Sequence, residues 1–484
     1  MIHSALSLWV LLTFATSVLS QANLSVVGTC QEIASKVSSA SDVIYALHPN
    51  FLPDIHHWYL SSSQTPTCVF EPGSVEDLAT AVQIIGSARS PFAVRSGGHA
   101  SNPGFSSTTG VHISLNRMDQ VVLSADKSTV EIGTGTTWAD VYEKLEDTGY
   151  NVVGGRTVGP GVGGFTLGGG FSWKTNQHGL TCDTVKSFTL VLPNGTITRV
   201  DSDKPDLFFA LKGGLNRFGI VASAEFYTHE QPSQIYGGLA VYGNDKLDAI
   251  LEATAKFDAE NTDPKAQVIT TLEGSSLTGT SALVLFFYDG PSRPESFSVF
   301  DNITATLDIT GTKTFAEFVQ MFQSNIVINA RGTFHTLSTS KLTSGFLTAV
   351  RNETDTFGKV MASHSGSSIS YDIEPFLKTY GEKATDSAYP HHDSPLPLNL
   401  YFAWLSPADD EFWYDAMRSS IQNLRRIAIE EGIYSSDFTT YPNYAISNTT
   451  AEDLYGASNA ERLRSIRSQI DPDGIMELAG GFSI

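Results

Sequence analysis

The chain has few basic residues for its size. Lys and Arg number 30 against 51 Asp and Glu, which gives the 484 residues a formal net charge of −21. A nucleic-acid partner requires clustered positive charge, and the basic residues here are scattered along the sequence. The composition therefore excludes nucleic acid as a partner. The acidic composition favours solubility and does not indicate a particular substrate.

Long apolar runs are missing after the first twenty residues. Residues 1–20 hold the apolar stretch Leu6–Leu12 and end on the small residue Ser20, a pattern typical of a cleaved signal peptide. A buried N-terminal helix is the alternative. No other segment approaches the roughly 18 consecutive apolar residues that cross a membrane. We predict a secreted or secretory-lumen protein with no membrane association once the signal is removed.

Helical and strand-like patterns alternate along the chain, whose length exceeds what a single core usually supports. Ser74 with Asp77 and Thr137 with Asp140 resemble capping boxes at the start of helices. The strand-like segments are 130–132, 185–192, 220–227, 266–272, 282–288, 369–373 and 398–404, and 247–257 carries a helical stripe. The sequence predicts an α+β fold of two domains.

A phosphate-binding backbone and one imidazole meet in Arg95–His99, directly after the strand-like run Phe92–Val94. Two adjacent glycines reach backbone angles closed to other residues, so successive N–H groups can point at a pyrophosphate. The motif indicates a flavin attachment site with His99 beside the cofactor. A Gly-Gly turn with a surface histidine is the alternative.

The segment Gly159–Gly164 satisfies GxGxxG, the fingerprint of dinucleotide-binding Rossmann domains. That fingerprint requires a preceding strand and a following helix. Here Pro160 lies inside the loop, and Gly168–Gly170 stands where the helix should be, at about 1 kcal/mol per glycine. We therefore predict a glycine-rich wall against a flat ring and no Rossmann site.

These motifs carry a family resemblance. From Cys68 to about Glu230 the chain resembles the FAD-binding domain of the vanillyl-alcohol-oxidase superfamily, and it is similar above all to berberine-bridge-enzyme-like oxidoreductases. The segments that keep the family's order are 68–72, 95–99, 115–116, 159–170, 179–180 with Asp183, 206–214 and 216–221. The resemblance implies FAD bound covalently through His99.

The resemblance also implies how the chain is divided. It implies a two-part PCMH-type FAD-binding domain and a substrate domain of antiparallel sheet covered by helices. The implied divisions are a signal peptide at 1–20, the FAD-binding domain at 21–230, the substrate domain at 231–434 and a returning C-terminal segment at 435–484. The implied cofactor-binding residues are Arg95, Ser96, Gly97, Gly98, His99, Asn116, Gly159, Gly161, Gly163, Gly164, Gly168, Gly169, Asp183, Gly219 and Ile220.

Two positions depart from the family. Relatives often carry a cysteine before the glycine run that forms a second flavin bond, and Gly155–Val158 contains none, so we expect one bond. Relatives also often have a histidine where this chain has Phe165, which leaves open what stabilises the reduced flavin. Arg156 is a candidate, although an arginine in a loop is more often solvated.

The stretch from Tyr441 to Met476 resembles the family's terminal motif and implies that Tyr441 and Asn443 face the chemistry. A phenol and an amide suit the orientation of a substrate C–H or the transfer of a proton. Packing between domains is the alternative for both and the favoured interpretation for Tyr444. Tyr401 and His335 are the next candidates for a base.

The cysteines and sequons fit a secretory compartment. We predict a Cys30–Cys68 disulfide, a bridge also found in the family, and a packed free thiol at Cys182. The predicted glycosylation sites are Asn23, Asn194, Asn302, Asn352 and Asn448. We expect no metal site, because the consecutive His391 and His392 would point to opposite faces of a strand.

The predicted function is an FAD-dependent oxidoreductase that takes hydride from an alcohol, amine or activated C–H of a small specialised metabolite onto flavin N5. Oxygen is the expected electron acceptor, with hydrogen peroxide as product, and a monomer is expected. The alternatives are an oligosaccharide oxidase, which the missing second flavin bond disfavours, a dehydrogenase with another acceptor, a flavin-binding protein without turnover and a non-redox cyclase.

Overall fold

The computed structural model describes residues 25–322 and 330–484, so the predicted signal peptide and the sequon at Asn23 lie outside the described residues. Helices and sheets are mixed along this part of the chain, and the large sheet is antiparallel, which confirms the predicted α+β class. Within these ranges no helix is long and apolar enough to cross a membrane.

The first sheet contains the strand that leads into the Arg-Ser-Gly-Gly-His motif. Its strands are β1 (Asp42–Ile44), β2 (Cys68–Glu71), β3 (Phe92–Arg95) and β4 (Val111–Ser114), in the order β1-β2-β4-β3. Its helices are α1 (25–36), α2 (Phe51–Ile55) and α3 (Val75–Ala88). Strands β2, β4 and β3 are parallel, and α3 connects β2 to β3. Ser74 caps α3 by accepting from the Asp77 N–H, as predicted.

The second sheet is antiparallel, in the order β5-β6-β10-β8-β9. Its strands are β5 (Val121–Leu123), β6 (Thr129–Gly133), β8 (Val185–Val191), β9 (Ile197–Val200) and β10 (Ile220–Tyr227), and beside it β7 (Tyr150–Asn151) pairs with β11 (His229–Glu230). Its helices are α4 (Trp138–Leu145), α5 (Val162–Leu167), α6 (Thr175–His178) and α7 (Pro205–Leu211). The predicted capping box of Thr137 and Asp140 opens α4.

The third sheet is the largest and runs β15-β12-β14-β13-β18-β19-β17, with β16 also paired to β12. Its strands are β12 (Ile235–Tyr242), β13 (Ala266–Gly274), β14 (Ser281–Tyr288), β15 (Leu307–Asp308), β16 (Gly311–Lys313), β17 (Arg331–Thr339), β18 (Gly366–Ile373) and β19 (Leu396–Trp404). The neighbouring helices are α8 (Leu247–Glu260), α9 (Phe315–Gln320), α10 (Ser344–Val360) and α11 (Asp410–Glu430). One face packs against α8, α10 and α11 through apolar side chains such as Leu272, Tyr371 and Phe402.

The C-terminal segment returns to the first two sheets. Helix α12 (Ala451–Ile470) packs against α7, and Ala479 forms an isolated bridge with Phe92 beside β3. The buried Arg217 guanidinium donates to the carbonyls of Met476, Ala479 and Phe482. These contacts agree with a returning segment, while the domain boundaries at 230 and 434 stay a prediction.

The glycine run contains a short helix that its composition does not predict. Gly161 is the N-cap of α5, and the helix ends at Gly168, after which Gly169 and Gly170 have φ of +111° and +93°. Only glycine adopts such angles easily, so this run limits the helix to six residues. The preceding strand β7 ends ten residues before Gly161, at Asn151, so the arrangement is not a Rossmann crossover.

Cys30 and Cys68 form a disulfide that joins α1 to β2, as predicted, with their Cα atoms 6.3 Å apart. Cys182 is buried and free. Burial raises the pKa of its thiol well above the ordinary value. The thiol is therefore a packed group and a poor nucleophile.

Candidate active site

A cavity of about 620 Å³ lies between the glycine-rich loops and the large sheet. Ser96–His99 and Pro160–Gly164 form one side, and strands β13, β18 and β19 form the other. The turn Tyr441–Tyr444 adds a third wall. Residues distant in sequence therefore meet around one space of the size of a cofactor and substrate pocket.

The two glycine segments contact each other backbone to backbone. A Cβ at Gly97 would lie 2.3 Å from the Gly161 nitrogen, and a Cβ at Gly161 would lie 2.1 Å from the Gly97 nitrogen. Gly164, by contrast, has no atom within 4 Å of its Cβ position. The glycines thus allow close packing behind the loop and leave space beside it, which suits a large flat cofactor whose phosphates approach the backbone.

His99 lies in the cavity among aromatic rings. Its ring centroid is 3.8 Å from that of Trp58, edge to face, and 6.2 Å from that of Phe334. Its Nε2 has no hydrogen-bond partner among the described residues. Burial lowers the pKa of His99 to about 3, so the imidazole is neutral at physiological pH and one of its two nitrogens carries a lone pair.

The structure places the predicted cofactor residues in two groups. Those that line the cavity are Ser96, Gly97, Gly98, His99, Gly161, Gly163, Gly164, Gly219 and Ile220. Those that do not line it are Arg95, Asn116, Gly159, Gly168, Gly169 and Asp183. The residues of the second group lie outside the cavity and contact the segments that form its walls.

Arg95 and Asn116 brace the loop that carries His99. The Arg95 Nε donates to the His56 carbonyl at 2.8 Å, and its Nη1 donates to Asn116 Oδ1 at 3.3 Å. Asn116 in turn donates to the buried carboxylate of Asp54, whose pKa burial raises to about 7. Their side chains therefore act on the shape of the loop, which differs from the predicted direct contact with the cofactor.

Asp183 also differs from its predicted role. Its carboxylate accepts hydrogen bonds at 2.8 Å from His391 Nε2, from the Leu180 N–H and from the N–H and hydroxyl of Thr385. Burial alone would raise the pKa of Asp183, but His391 and Thr385 hold it below its ordinary value. The group joins two chain segments away from the cavity, and no cluster of three metal-ligating side chains occurs among the described residues.

Tyr441 and Asn443 lie at the cavity wall, where the sequence predicted them. The Tyr441 oxygen accepts from the N–H groups of Gly170 and Phe171, at 3.0 and 3.2 Å, and from Asn443 Nδ2 at 2.9 Å. Burial raises the pKa of Tyr441 to about 12 against the opposing effect of these donors. The three donors stabilise the ionised oxygen and partly offset burial, but the net effect keeps Tyr441 a neutral phenol at physiological pH.

Gly168 and Gly169 explain this placement. Asn443 Oδ1 lies 2.0 Å from the position of a Cβ at Gly168, so a larger residue would displace the amide. The second N–H of Asn443 donates to the Phe165 carbonyl at 2.9 Å. The glycine run thus holds the turn Tyr441–Tyr444 through its backbone, and Phe165 contributes its carbonyl to the same contact.

A buried ion pair beside Tyr441 is the feature that the sequence analysis missed. Arg156 donates to both carboxylate oxygens of Glu374, at 2.7 and 3.0 Å, and its Nη2 lies 2.5 Å from the Tyr444 hydroxyl. The Tyr444 hydroxyl donates to Glu374 at 3.2 Å. Burial opposes the charge of Arg156, but Glu374 raises the pKa of Arg156 above its ordinary value. Arg156 is therefore a fixed cation of the cavity instead of a solvated loop residue.

One sequence signal could have identified Glu374. Ser368, Ser370, Asp372 and Glu374 alternate along β18 with apolar residues that face the helices, which is the pattern of a strand with one polar face. In a strand next to helices such a face must meet solvent or a cavity. His335 lies on the other side of its strand, against a smaller cavity of about 210 Å³, so it does not reach this site.

The glycine cradle and the cavity beside it suit a protein that binds a large cofactor. Residues 66–201 match the family model of an FAD binding domain. Together with the full-length relatives described next, this match shows that the chain belongs to the FAD-linked oxidoreductases with a PCMH-type FAD-binding domain. It is thus an enzyme that uses FAD.

Full-length relatives support this assignment. An uncharacterised FAD-linked oxidoreductase of Arthroderma benhamiae is 30% identical over 445 residues, which cover 87% of each chain. The FAD-dependent monooxygenase sdcF of Emericella nidulans is 31% identical over 440 residues, which cover 87% of this chain and 90% of the relative.

Solved structures share the fold. The 6-hydroxy-D-nicotine oxidase of Arthrobacter nicotinovorans superposes with a TM-score of 0.77 at 21% identity and covers 93% of this chain and 99% of its own. The glucooligosaccharide oxidase of Acremonium strictum, which carries a 6-S-cysteinyl, 8α-N1-histidyl FAD, has a TM-score of 0.75 at 21% identity and covers 92% and 97%.

Proposed function

We propose that the protein oxidises an alcohol, amine or activated C–H of a small specialised metabolite, with Tyr441 as the group that takes the substrate proton. The observation that carries the proposal is the Tyr441 oxygen, which lines the cavity and accepts from three donors. FAD held by the glycine loops would supply hydride acceptance at N5 and electron transfer to oxygen, with hydrogen peroxide as the product.

Residues of the chain itself position Tyr441 and influence its pKa. Asn443 and the two backbone N–H groups hold the Tyr441 oxygen in place and favour its ionised form. The positive charge of Arg156 also lowers the pKa of Tyr441 and is fixed by Glu374. Burial keeps Tyr441 a neutral phenol at rest, so its own proton must first pass to solvent. The three donors and Arg156 stabilise the phenolate, which then takes the proton of a substrate O–H or N–H as the adjacent C–H is oxidised.

We propose covalent attachment of FAD through His99 alone. Support comes from the unpartnered Nε2, from the low pKa that leaves the imidazole neutral, and from the absence of cysteine in Gly155–Val158. The Acremonium strictum enzyme carries a histidyl and a cysteinyl bond, and this chain retains a histidine for one of them. A covalent bond would keep the cofactor with a secreted protein after dilution outside the cell.

We also propose that the protein is secreted and monomeric, and that its domains divide at residues 230 and 434. The apolar stretch at 6–12, the Cys30–Cys68 disulfide and the sequons support an oxidising compartment. The polar wall formed by β13, β18 and β19 also fits the alternative of an oligosaccharide oxidase, since sugar hydroxyls need hydrogen-bond partners.

A substrate screen tests the proposal. The holoenzyme is mixed anaerobically with alcohols, phenolic metabolites, amines and oligosaccharides, and flavin bleaching is recorded before peroxide is measured in air. We expect bleaching by a metabolite and peroxide in equal amount. Bleaching by oligosaccharides alone would favour the alternative. A product of unchanged mass without oxygen uptake would reveal a non-redox cyclase and overturn the proposal.

A further inference from the structure

The cavity wall opposite the glycine loops is polar and acidic. Strands β13, β18 and β19 direct every second residue toward the cavity, and the residues between them pack against the helices. The polar residues on the cavity side are Thr271, Glu273, Ser368, Ser370, Asp372, Glu374, Asn399 and Tyr401, and Ile269 of β13 adds an apolar group. Glu374 is paired with Arg156, whereas the carboxylates of Glu273 and Asp372 have no ion-pair partner among the described residues.

Asp372 is bound by neutral groups only. In register it lies between Thr271 and Asn399 on the adjacent strands. Thr271 Oγ1 donates to Asp372 Oδ1 at 2.8 Å, and Asn399 Nδ2 donates to Asp372 Oδ2 at 3.0 Å. A carboxylate has about four acceptor positions, so each oxygen can accept one more hydrogen bond.

Asn399 adds an acceptor without a donor. The residue is 5% exposed and lines the cavity, and its Oδ1 has no hydrogen-bond partner among the described residues. Its orientation is fixed, because rotation of the amide would turn Oδ1 toward the Asp372 carboxylate and lose the bond from Nδ2. A buried amide oxygen without a donor normally has a partner that is absent from the protein itself.

Glu273 lies further along the same face, opposite Ser370 in register. It makes no hydrogen bond or ion pair within the described part of the chain, and burial raises its pKa. Asp372, Glu273 and the Asn399 oxygen therefore offer acceptor positions that no donor in this part of the chain fills, and the hydroxyls of Ser370 and Tyr401 lie on the same wall.

No protein cation balances this surface. Arg156 is the one Lys or Arg side chain that lines the cavity in the described ranges, and Glu374 already neutralises it. The stretches 1–24 and 323–329, which fall outside those ranges, contain no Lys or Arg in the sequence. Asp372 is half-buried and Glu273 is exposed, so water can solvate both carboxylates in the open cavity. An occupant that excludes this water would have to offer them hydrogen-bond donors, and a positive charge suits them best.

We propose that the substrate carries a protonated amine, which Asp372, Asn399 Oδ1 and Glu273 hold by charge and by N–H donation. This specificity rests on the proposed oxidation at the same cavity. Asp372 lies two residues, about 7 Å along the strand, from Glu374, and Glu374 contacts Tyr444 in the turn that carries Tyr441. The nitrogen is an anchor, and the oxidised carbon lies toward Tyr441.

Ligand binding without turnover tests the proposal. The holoenzyme is titrated at pH 7.5 with benzylamine, which is protonated there, and with benzyl alcohol as its neutral counterpart, and the flavin absorbance change gives each Kd. We expect benzylamine to bind at least tenfold more tightly. Asp372→Asn should abolish that preference, and Glu252→Gln, an exposed carboxylate on α8, should leave it unchanged.

The outcomes separate the two proposals. Equal affinity for the two probes, or a preference that survives Asp372→Asn, overturns the amine anchor. Glu273→Gln, at the more exposed end of the wall, should reduce the preference and provides a second variant if Asp372→Asn fails to fold. A preference for benzylamine in an enzyme whose flavin no screened compound reduces would support the anchor and contradict the proposed oxidation.

Discussion

At the scale of single residues, Tyr441 shows how backbone donors prepare a side chain for chemistry. Its oxygen is surrounded by the N–H groups of Gly170 and Phe171 and by the amide of Asn443. The neighbouring Tyr389 is equally buried, and its ring centroid lies 5.4 Å from that of Tyr441. The Tyr389 hydroxyl has no partner among the described residues. The two tyrosines form a natural pair of test and control.

Tyr441→Phe should slow anaerobic flavin reduction by about 10²-fold or more, because the proton acceptor is lost. It should also lower the free energy of unfolding by about 1–3 kcal/mol, since two buried N–H groups lose their acceptor. Stopped-flow absorbance and urea denaturation measure the two effects. Tyr389→Phe should change neither by a comparable amount. Reduction of Tyr441→Phe at the wild-type rate would show that the hydroxyl only packs.

His99 determines the second residue-scale prediction. Denatured protein should keep one FAD mass on the peptide that contains His99, because its imidazole is neutral at physiological pH and its Nε2 is unpartnered. Peptide mass spectrometry measures this. His99→Ala should retain some non-covalent FAD through the glycine loops and be reduced more slowly. Complete release of flavin by acid from the unaltered protein would contradict attachment.

At the scale of secondary-structure elements, the chain fixes helix starts by local chemistry. Thr137 and Asp140 exchange side-chain and backbone hydrogen bonds at the start of α4, and Thr137 also bridges to Gly161 in the glycine run. The cap therefore connects a helix start to the cavity wall. Loss of the cap should therefore lower both the free energy of unfolding and the amount of bound flavin.

Thr137→Ala should lower the free energy of unfolding by about 1 kcal/mol, the usual cost of a lost N-cap. Urea denaturation of the holoprotein measures it. Thr356→Ala, at an exposed position inside α10, is the matched control and should be neutral or slightly stabilising, since alanine is the better helix former. Equal effects of the two substitutions would refute a capping role.

At the scale of the whole molecule, a disulfide and several buried histidines determine how stability depends on the redox state and on pH. The bridge Cys30–Cys68 closes a loop with a sequence separation of 38. His57 and His112 are 1% and 0% exposed, and burial lowers their pKa values to about 4 and about 3.

Removal of the bridge by Cys30→Ser with Cys68→Ser should cost about 4 kcal/mol, because the unfolded chain gains the entropy of an open loop. Chemical denaturation of the variant and the parent measures the loss. Non-reducing peptide mapping should show Cys30 joined to Cys68, with Cys182 alkylated only after unfolding. Two free thiols at Cys30 and Cys68 in secreted material would contradict the bridge.

Acidification from pH 6.5 to about 4 should destabilise the fold. His57 and His112 stay neutral in the folded state but take up protons near pH 6.5 when unfolded, so their contribution is full above that pH and falls below it. Below pH 6.5, each histidine lowers the free energy of unfolding by about 1.4 kcal/mol per pH unit. His112→Gln should reduce the measured slope by that amount, and His48→Gln, at an exposed position, should not. An unchanged slope in His112→Gln would contradict the burial argument.

The sequence by itself determined much of this protein. The caps at Ser74 and Thr137, the strand at 220–227 and the glycine motif before His99 all depend on local patterns or on a linear motif. Local rules of this kind act through neighbours in the chain, so they can be recognised without the fold. The family resemblance added the cofactor and the turn Tyr441–Tyr444.

Only the tertiary structure decided which polar groups meet. Arg156 and Glu374 are 218 residues apart in sequence. The polar alternation along β18 could have marked Glu374 as facing a cavity, but nothing in the sequence pairs it with Arg156. The same holds for Asp183, whose carboxylate is used by His391 and Thr385, and for Asp372 with Asn399. The charge of a buried group depends on its three-dimensional neighbours, because burial and pairing act through space and not along the chain.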